Sequence, residues 1–146
     1  NAVAAWELYG GPCIFIDFGT ATTYGVMSAK GEFLGGAICP GLKLSAEALV
    51  DKAAKLPKFE LVKPESVIGK NTIANLQSGV LNGYVGQVNY LVNQMKKEMG
   101  YPNIKVIATG GMARMIAEKA GGIDEIDGLL TLNGLRLIWE KNNPVA

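Results

Sequence analysis

The run Cys13-Ile-Phe-Ile-Asp-Phe-Gly-Thr-Ala-Thr-Thr-Tyr-Gly-Val26 constrains this chain more than any other stretch. Apolar residues lead into an acid, a Gly-Thr pair follows, and then comes a β-branched run with no helix signal. A strand that ends at Asp17, turns at Gly19 and returns as a second strand is a short β-hairpin. Its tip points a carboxylate, a hydroxyl and backbone N–H groups at one spot. That set suits a nucleotide phosphate with its cations: the amides of the Gly19 turn and Thr20 bind phosphate oxygens, while Asp17 holds a metal ion or a water. Read alone, Asp-x-Gly-Thr is equally a tight hairpin whose acid bonds to its own turn amides.

A second glycine turn follows another apolar run, in Val106-Ile-Ala-Thr-Gly-Gly-Met-Ala-Arg114. It reads as a buried strand, a Gly110-Gly111 turn and a helix starting near Met112. A strand ending in two glycines at a helix N-terminus lets a flat or anionic ligand touch the backbone where the helix dipole favours it. Two such turns, each closing a strand, match the phosphate and adenosine corners of an actin/hexokinase-type nucleotide site.

Composition narrows the alternatives. A chain of 146 residues, 49% hydrophobic and 18% charged, suits one globular domain. The net charge of +1 has both signs interspersed, and without a basic stripe nucleic-acid binding is not expected. No apolar run approaches the ~20 residues of a membrane span. The absence of histidine removes His-based triads, His-ligated zinc and a His general base from this chain. Cys13 and Cys39 form no Cys-x-x-Cys pair and read as buried free thiols in a reducing cytoplasm.

Strands are predicted over 13–18, 21–28 and 32–38, joined by tight turns, and Gly35-Gly36 in the third mark close approach of another backbone or a ligand. A helix is expected over about 43–54 with Leu44, Ala48, Leu49 and Ala53 inward, then an extended connector over 55–68 carrying Pro57 and Pro64. The longest element is a helix from Thr72 to about Met99, because Ile73, Leu76, Val80, Tyr84, Val88, Leu91, Met95 and Met99 recur at spacings of three or four. Gly79, Gly83 and Gly86 lie inside it, each costing ~0.8–1 kcal/mol relative to Ala. They imply a surface where a helix, a sheet or a subunit comes very close. A strand over 104–109 and helices over 112–120 and 131–141 complete the chain, with Trp6 and Trp139 as packing residues. Three strands in a meander, a later strand and flanking helices give an α/β fold of the ribonuclease H-like (actin-type ATPase) class with a mixed sheet.

The segments Ile16-Asp-Phe-Gly-Thr-Ala-Thr-Thr23, Gly35-Gly-Ala-Ile-Cys-Pro-Gly41, Ala54-Lys-Leu-Pro57, Ile68-Gly-Lys-Asn-Thr72, Gln77-Ser-Gly79, Ala108-Thr-Gly-Gly111 and Leu130-Thr-Leu-Asn-Gly-Leu135 occur in an order that resembles type III pantothenate kinases. The resemblance runs through essentially the whole chain but covers only the second half of that family's protein. The family's N-terminal Asp-x-Gly-Asn-Thr phosphate loop has no counterpart here, nor does the Gly-Ala-Asp-Arg motif that carries its proposed general base. The chain opens at Asn1-Ala-Val-Ala-Ala5 in what reads as mid-helix. Residues 1–146 are therefore expected to be a single ribonuclease H-like domain, the C-terminal half of a two-domain kinase and inactive alone.

The resemblance implies ATP-dependent phosphorylation of pantothenate to 4′-phosphopantothenate, the first step of coenzyme A biosynthesis, in a cytoplasmic homodimer. Asp17 matches the position that binds the activating monovalent cation, K+ or NH4+. Gly19 and Thr20 match an ATP-contacting turn, Gly110 and Gly111 the adenosine corner, and Thr72 a pantothenate contact; Mg2+ accompanies the nucleotide. Thr72 or Asn71 also reads as the N-cap of the long helix. Gly69-Lys70-Asn71-Thr72 is no Walker A ending, since that motif needs Ser or Thr directly after Lys. The rival reading is a non-enzymatic accessory factor in transcriptional activation that shares the fold. A sugar or acetate kinase of the same superfold is disfavoured by Ile68-Gly-Lys-Asn-Thr72.

Overall fold

The computed structural model describes residues 1–144, with the element order α1 (Ala2–Tyr9), β1 (Cys13–Phe18), β2 (Ala21–Met27), β3 (Phe33–Pro40), α2 (Leu42–Lys52), α3 (Thr72–Met99), β4 (Lys105–Thr109), α4 (Ala113–Ala117), β5 (Glu125–Ile126) and α5 (Leu130–Asn142). The strands form one sheet in the order β3-β2-β1-β4-β5. The meander β1-β2-β3 is antiparallel, while β4 joins β1, and β5 joins β4, in parallel. This is the mixed sheet that the strand pattern predicts.

β1 is the centre of the sheet, and its sequence shows why. Ile14, Ile16 and Phe18 face one layer and Cys13 and Phe15 the other, all buried, so the strand is apolar on both faces. On the first face lies α3, which contributes Leu81, Tyr84, Val85, Val88 and Val92. On the second lie α1 and α5, through Ala4, Ala5 and Leu130. Glycines let neighbours close up within the sheet. The Phe15 ring covers Gly25, its partner across the strand pair, and a Cβ on Gly36 would lie 1.7 Å from the Tyr24 carbonyl oxygen. The close approach expected at Gly35-Gly36 is found at Gly36 and is to another backbone, whereas a Cβ on Gly35 would meet nothing within 4 Å. Trp6 packs as expected, its indole against Gly11 and Gly31.

α3 begins where Asn71 Oδ1 accepts from Ala74 N at 2.9 Å and ends at Gly100, which adopts φ 70°. Residues 53–71 carry no helix or strand, as the proline-bearing connector predicts. Gln77 Nε2 donates to the Glu60 carbonyl and Ser78 Oγ to that of Val67, fastening this segment to α3.

Several expectations are corrected. α2 turns Leu42 and Ala46 inward and leaves Leu44, Ala48 and Leu49 exposed, with Ala53 half-buried just beyond its end. Gly41 is pinned to Thr20 by a backbone hydrogen bond, so the very next side chain enters the core and sets the helix phase. α4 is five residues long rather than nine, and the chain winds through turns into Gly121-Gly122. β5, only two exposed residues, was not anticipated because it is too short to carry a periodic pattern. Trp139 is 63% exposed. The inward stripe of α5 is Leu130, Gly134 and Leu137, which puts Trp139 on the opposite side. Gly79, Gly83 and Gly86 are exposed, and a Cβ on any of them would meet nothing within 4 Å. They do not face the domain's own sheet. Cys13 is buried, Cys39 half-buried, and both thiols are free.

Candidate functional site: the carboxyl edge of the central strand

Parallel pairing sets Asp17 opposite Thr109, so the turns after β1 and β4 open on one edge of the sheet. Gly110 has φ 93°, a conformation glycine adopts without penalty, and a Cβ there would lie 2.6 Å from the Phe18 carbonyl oxygen. On the other side, Gly41 N donates to the Thr20 carbonyl at 2.9 Å. A Cβ on Gly41 would stand 2.3 Å from that oxygen and 2.4 Å from the Gly19 carbonyl. The hairpin tip is therefore held between two glycine backbones. Gly19, Thr20 and Gly111 are exposed at this edge. Gly19 N–H is already engaged with the Ala21 carbonyl at 3.2 Å, and Thr20 beside it carries a hydroxyl at the exposed tip.

Asp17 is half-buried on the α1 side of the sheet. Its Oδ2 accepts from Asn1 Nδ2 at 2.8 Å, and Asn1 Oδ1 in turn accepts from Thr131 Oγ1 at 2.7 Å. The other oxygen, Oδ1, lies 3.6 Å from where a Gly19 Cβ would stand, toward the turn. The carboxylate is thus bonded to a distant side chain. Among the described residues no three His, Cys, Asp or Glu side chains gather as a metal site.

Beneath the tip, the buried Thr22 hydroxyl and the Tyr84 hydroxyl of α3 share a hydrogen bond, and the Tyr84 ring lies 6.3 Å from that of Phe18. Burial raises the Tyr84 pKa, while the Thr22 hydrogen bond opposes that shift. Tyr24 is also held above its ordinary value, first by burial and then by Tyr84 and Cys39, and its hydroxyl has no partner among the described residues. These supports of the tip, together with Gly41, Asn1 and Thr131, were missed in the sequence. The available signal was Tyr84 itself, since a tyrosine in a buried stripe needs a partner for its hydroxyl.

The five-residue α4 withdraws the helix-dipole argument at Met112. What remains there is backbone: a Cβ on Gly111 would meet nothing within 4 Å, so this peptide is an open face for a flat ligand. Thr72 is exposed at the start of α3, and with Asn71 serving as the cap its hydroxyl is not needed by the helix. Beside it, Ser66, Ile68, Lys70, Asn71, Ile73 and Gln77 line a groove of about 860 Å³. Thr72 precedes Tyr84 by twelve positions, about 18 Å of helix. The structure groups Asp17, Gly19, Thr20, Gly110 and Gly111 at one edge, and Thr72 stands about three turns of α3 before Tyr84.

The family model for type III pantothenate kinase matches residues 1–94. The chain belongs to the type III pantothenate kinase family. Among solved structures it is similar to a Campylobacter jejuni protein assigned to the Baf family of transcriptional activators, at 21% identity and a TM-score of 0.64, covering 98% of this chain and 63% of that one. It is also similar to the ethanolamine utilization protein EutJ from Carboxydothermus hydrogenoformans, at 18% identity and a TM-score of 0.56, covering 93% and 53% of the two chains. These likenesses establish the actin-type ATPase fold. The chain spans less than two thirds of the length of either protein.

Proposed function

We propose that this kinase-family chain is the C-terminal half of an enzyme that transfers the γ-phosphoryl group of ATP to the primary hydroxyl of pantothenate. The product is 4′-phosphopantothenate, on the route to coenzyme A. The observation that carries the reading is the convergence of the Gly19-Thr20 and Gly110-Gly111 turns at one exposed edge, within a chain of this family. Phosphoryl transfer spreads charge over the transferred oxygens, so placement and charge compensation do most of the work.

In this reading the Thr20 hydroxyl contacts the nucleotide phosphates and the Gly110-Gly111 backbone accepts the adenosine. Asp17 holds K+ or NH4+, whose charge, with that of Mg2+, offsets the phosphates. The proton acceptor belongs to the family's Gly-Ala-Asp-Arg motif, outside this sequence. Thr72, exposed at the start of α3, contacts pantothenate near the boundary with a second copy. The bare Gly79-Gly83-Gly86 face of α3 is where that copy docks in a homodimer. Among the described residues no helix is long and apolar enough to cross a membrane, and we place the reaction in the cytoplasm.

Asp17→Asn tests the assignment. The amide keeps the shape and loses the charge, so potassium activation of pantothenate phosphorylation should weaken selectively. An unchanged rate profile against potassium concentration would remove the cation from Asp17. The second reading, an accessory factor in transcriptional activation, draws on the likeness to the Campylobacter jejuni protein. It predicts no pantothenate-dependent ADP release at any potassium concentration.

A further inference from the structure

The Asn1 side chain reaches the sheet edge, where Nδ2 donates to Asp17 Oδ2 at 2.8 Å and Oδ1 accepts from Thr131 Oγ1 at 2.7 Å. An ionised carboxylate can only accept, so the amide nitrogen must face Asp17 and the amide oxygen must face Thr131. The carboxylate fixes the order Thr131 to Asn1 to Asp17, because the amide oxygen left facing Thr131 can only accept and the Thr131 hydroxyl therefore donates. Small residues allow the three segments to meet. Gly134 packs on α1, and a Cβ there would lie 3.5 Å from both the Ala4 Cβ and the Asn1 nitrogen.

We propose that Asn1 and Thr131 are positioning residues for the cation carboxylate. They occupy Oδ2 and fix the rotamer of Asp17, so that Oδ1 alone is presented to a monovalent cation beside the Gly19 turn. This inference rests on the cation reading of Asp17 given above. A carboxylate with one oxygen committed to an amide offers the other as a single, geometrically fixed ligand, and it disfavours the two-oxygen grip that Ca2+ sites use.

The test is nucleotide titration by calorimetry on the protein in potassium chloride against tetramethylammonium chloride, with the potassium concentration at half-effect as the readout. Thr131→Val deletes the donor to Asn1 and should raise that concentration roughly fivefold, the share of one neutral hydrogen bond. Asn1→Ala deletes the bond to the carboxylate and should raise it about tenfold or more. Thr131→Ser keeps the hydroxyl and should behave as wild type. That result separates positioning from packing. If Asp17→Asn abolishes the potassium effect while Thr131→Val and Asn1→Ala leave it unchanged, the positioning role is overturned and the cation reading stands. If wild type and Asp17→Asn respond identically to potassium, the cation reading is overturned and this inference goes with it.

Discussion

The backbone of Gly110 rests directly on that of Phe18: a Cβ at Gly110 would lie 2.6 Å from the Phe18 carbonyl oxygen and 2.7 Å from its nitrogen. The turn after β4 is thereby the floor under the turn after β1, and the two halves of the proposed nucleotide site cannot shift independently.

Adjacent glycines in this turn should respond oppositely to substitution. Gly110→Ala combines a positive φ with a backbone collision and should cost about 2–4 kcal/mol in urea denaturation. Gly111→Ala enters open space and should leave stability within about 0.5 kcal/mol, while the added methyl weakens nucleotide binding at that face. Equal stability losses for the two variants would contradict the geometry.

The hydrogen bond shared by Thr22 and Tyr84 joins the hairpin to α3 in a buried setting. Thr22→Val removes the side-chain partner of the Tyr84 hydroxyl, leaving it the Leu42 backbone, and should cost about 1–2 kcal/mol. Tyr84→Phe should cost about 1 kcal/mol, and the double variant should be less destabilised than the sum of the singles. A double-mutant cycle in urea reads the coupling directly, and strict additivity would rule it out.

Alkaline pH should destabilise the fold through its buried thiol and phenols. Burial raises the Cys13 thiol from 9.0 to about 11, and burial also raises Tyr24 and Tyr84. Each of these acids is neutral when protonated, so between the unfolded and folded pKa the native state binds more protons than the unfolded chain. Stability is therefore full below about pH 9 and falls as pH climbs toward 11. Cys13→Ala should flatten part of that decline in urea midpoints taken at pH 8, 9.5 and 10.5. A slope identical to wild type would show that the thiol does not contribute.

Gly83→Leu should affect monomer and dimer in opposite directions. The site is open, so the change raises helix propensity by roughly 0.5–1 kcal/mol in the monomer. On the proposed dimer face the same side chain blocks close approach, shifts sizing toward monomer and raises the pantothenate KM. An unaltered dimer would take α3 out of the interface.

Much of this was legible because hydrophobic period and glycine position report on local backbone. The β1–β2 hairpin, the meander, a later strand joining a mixed sheet and the limits of α3 follow from Ile14, Ile16 and Phe18, from β-branched Thr22 and Thr23, and from the three-four spacing through Tyr84 and Val88. What was not legible depends on contacts distant in sequence. The phase of α2 is set by Gly41 against Thr20, the inward side of α5 by Gly134 against Ala4, and the partner of Asp17 by Asn1. At the candidate site the same division holds. The tip residues could be named from their turn, whereas Gly41, Asn1, Thr131 and Tyr84 gain meaning only once the sheet brings them to it.

The double clamp on the Thr20 peptide has a thermodynamic consequence. A turn already fixed by Gly41 on one flank and Gly110 on the other has little conformational entropy left to surrender when a ligand arrives. Adaptation must then fall on residues 53–71, which lack regular hydrogen-bonding and lie beside Thr72. The edge that meets the nucleotide is an anvil, and the segment beside the substrate threonine supplies the give.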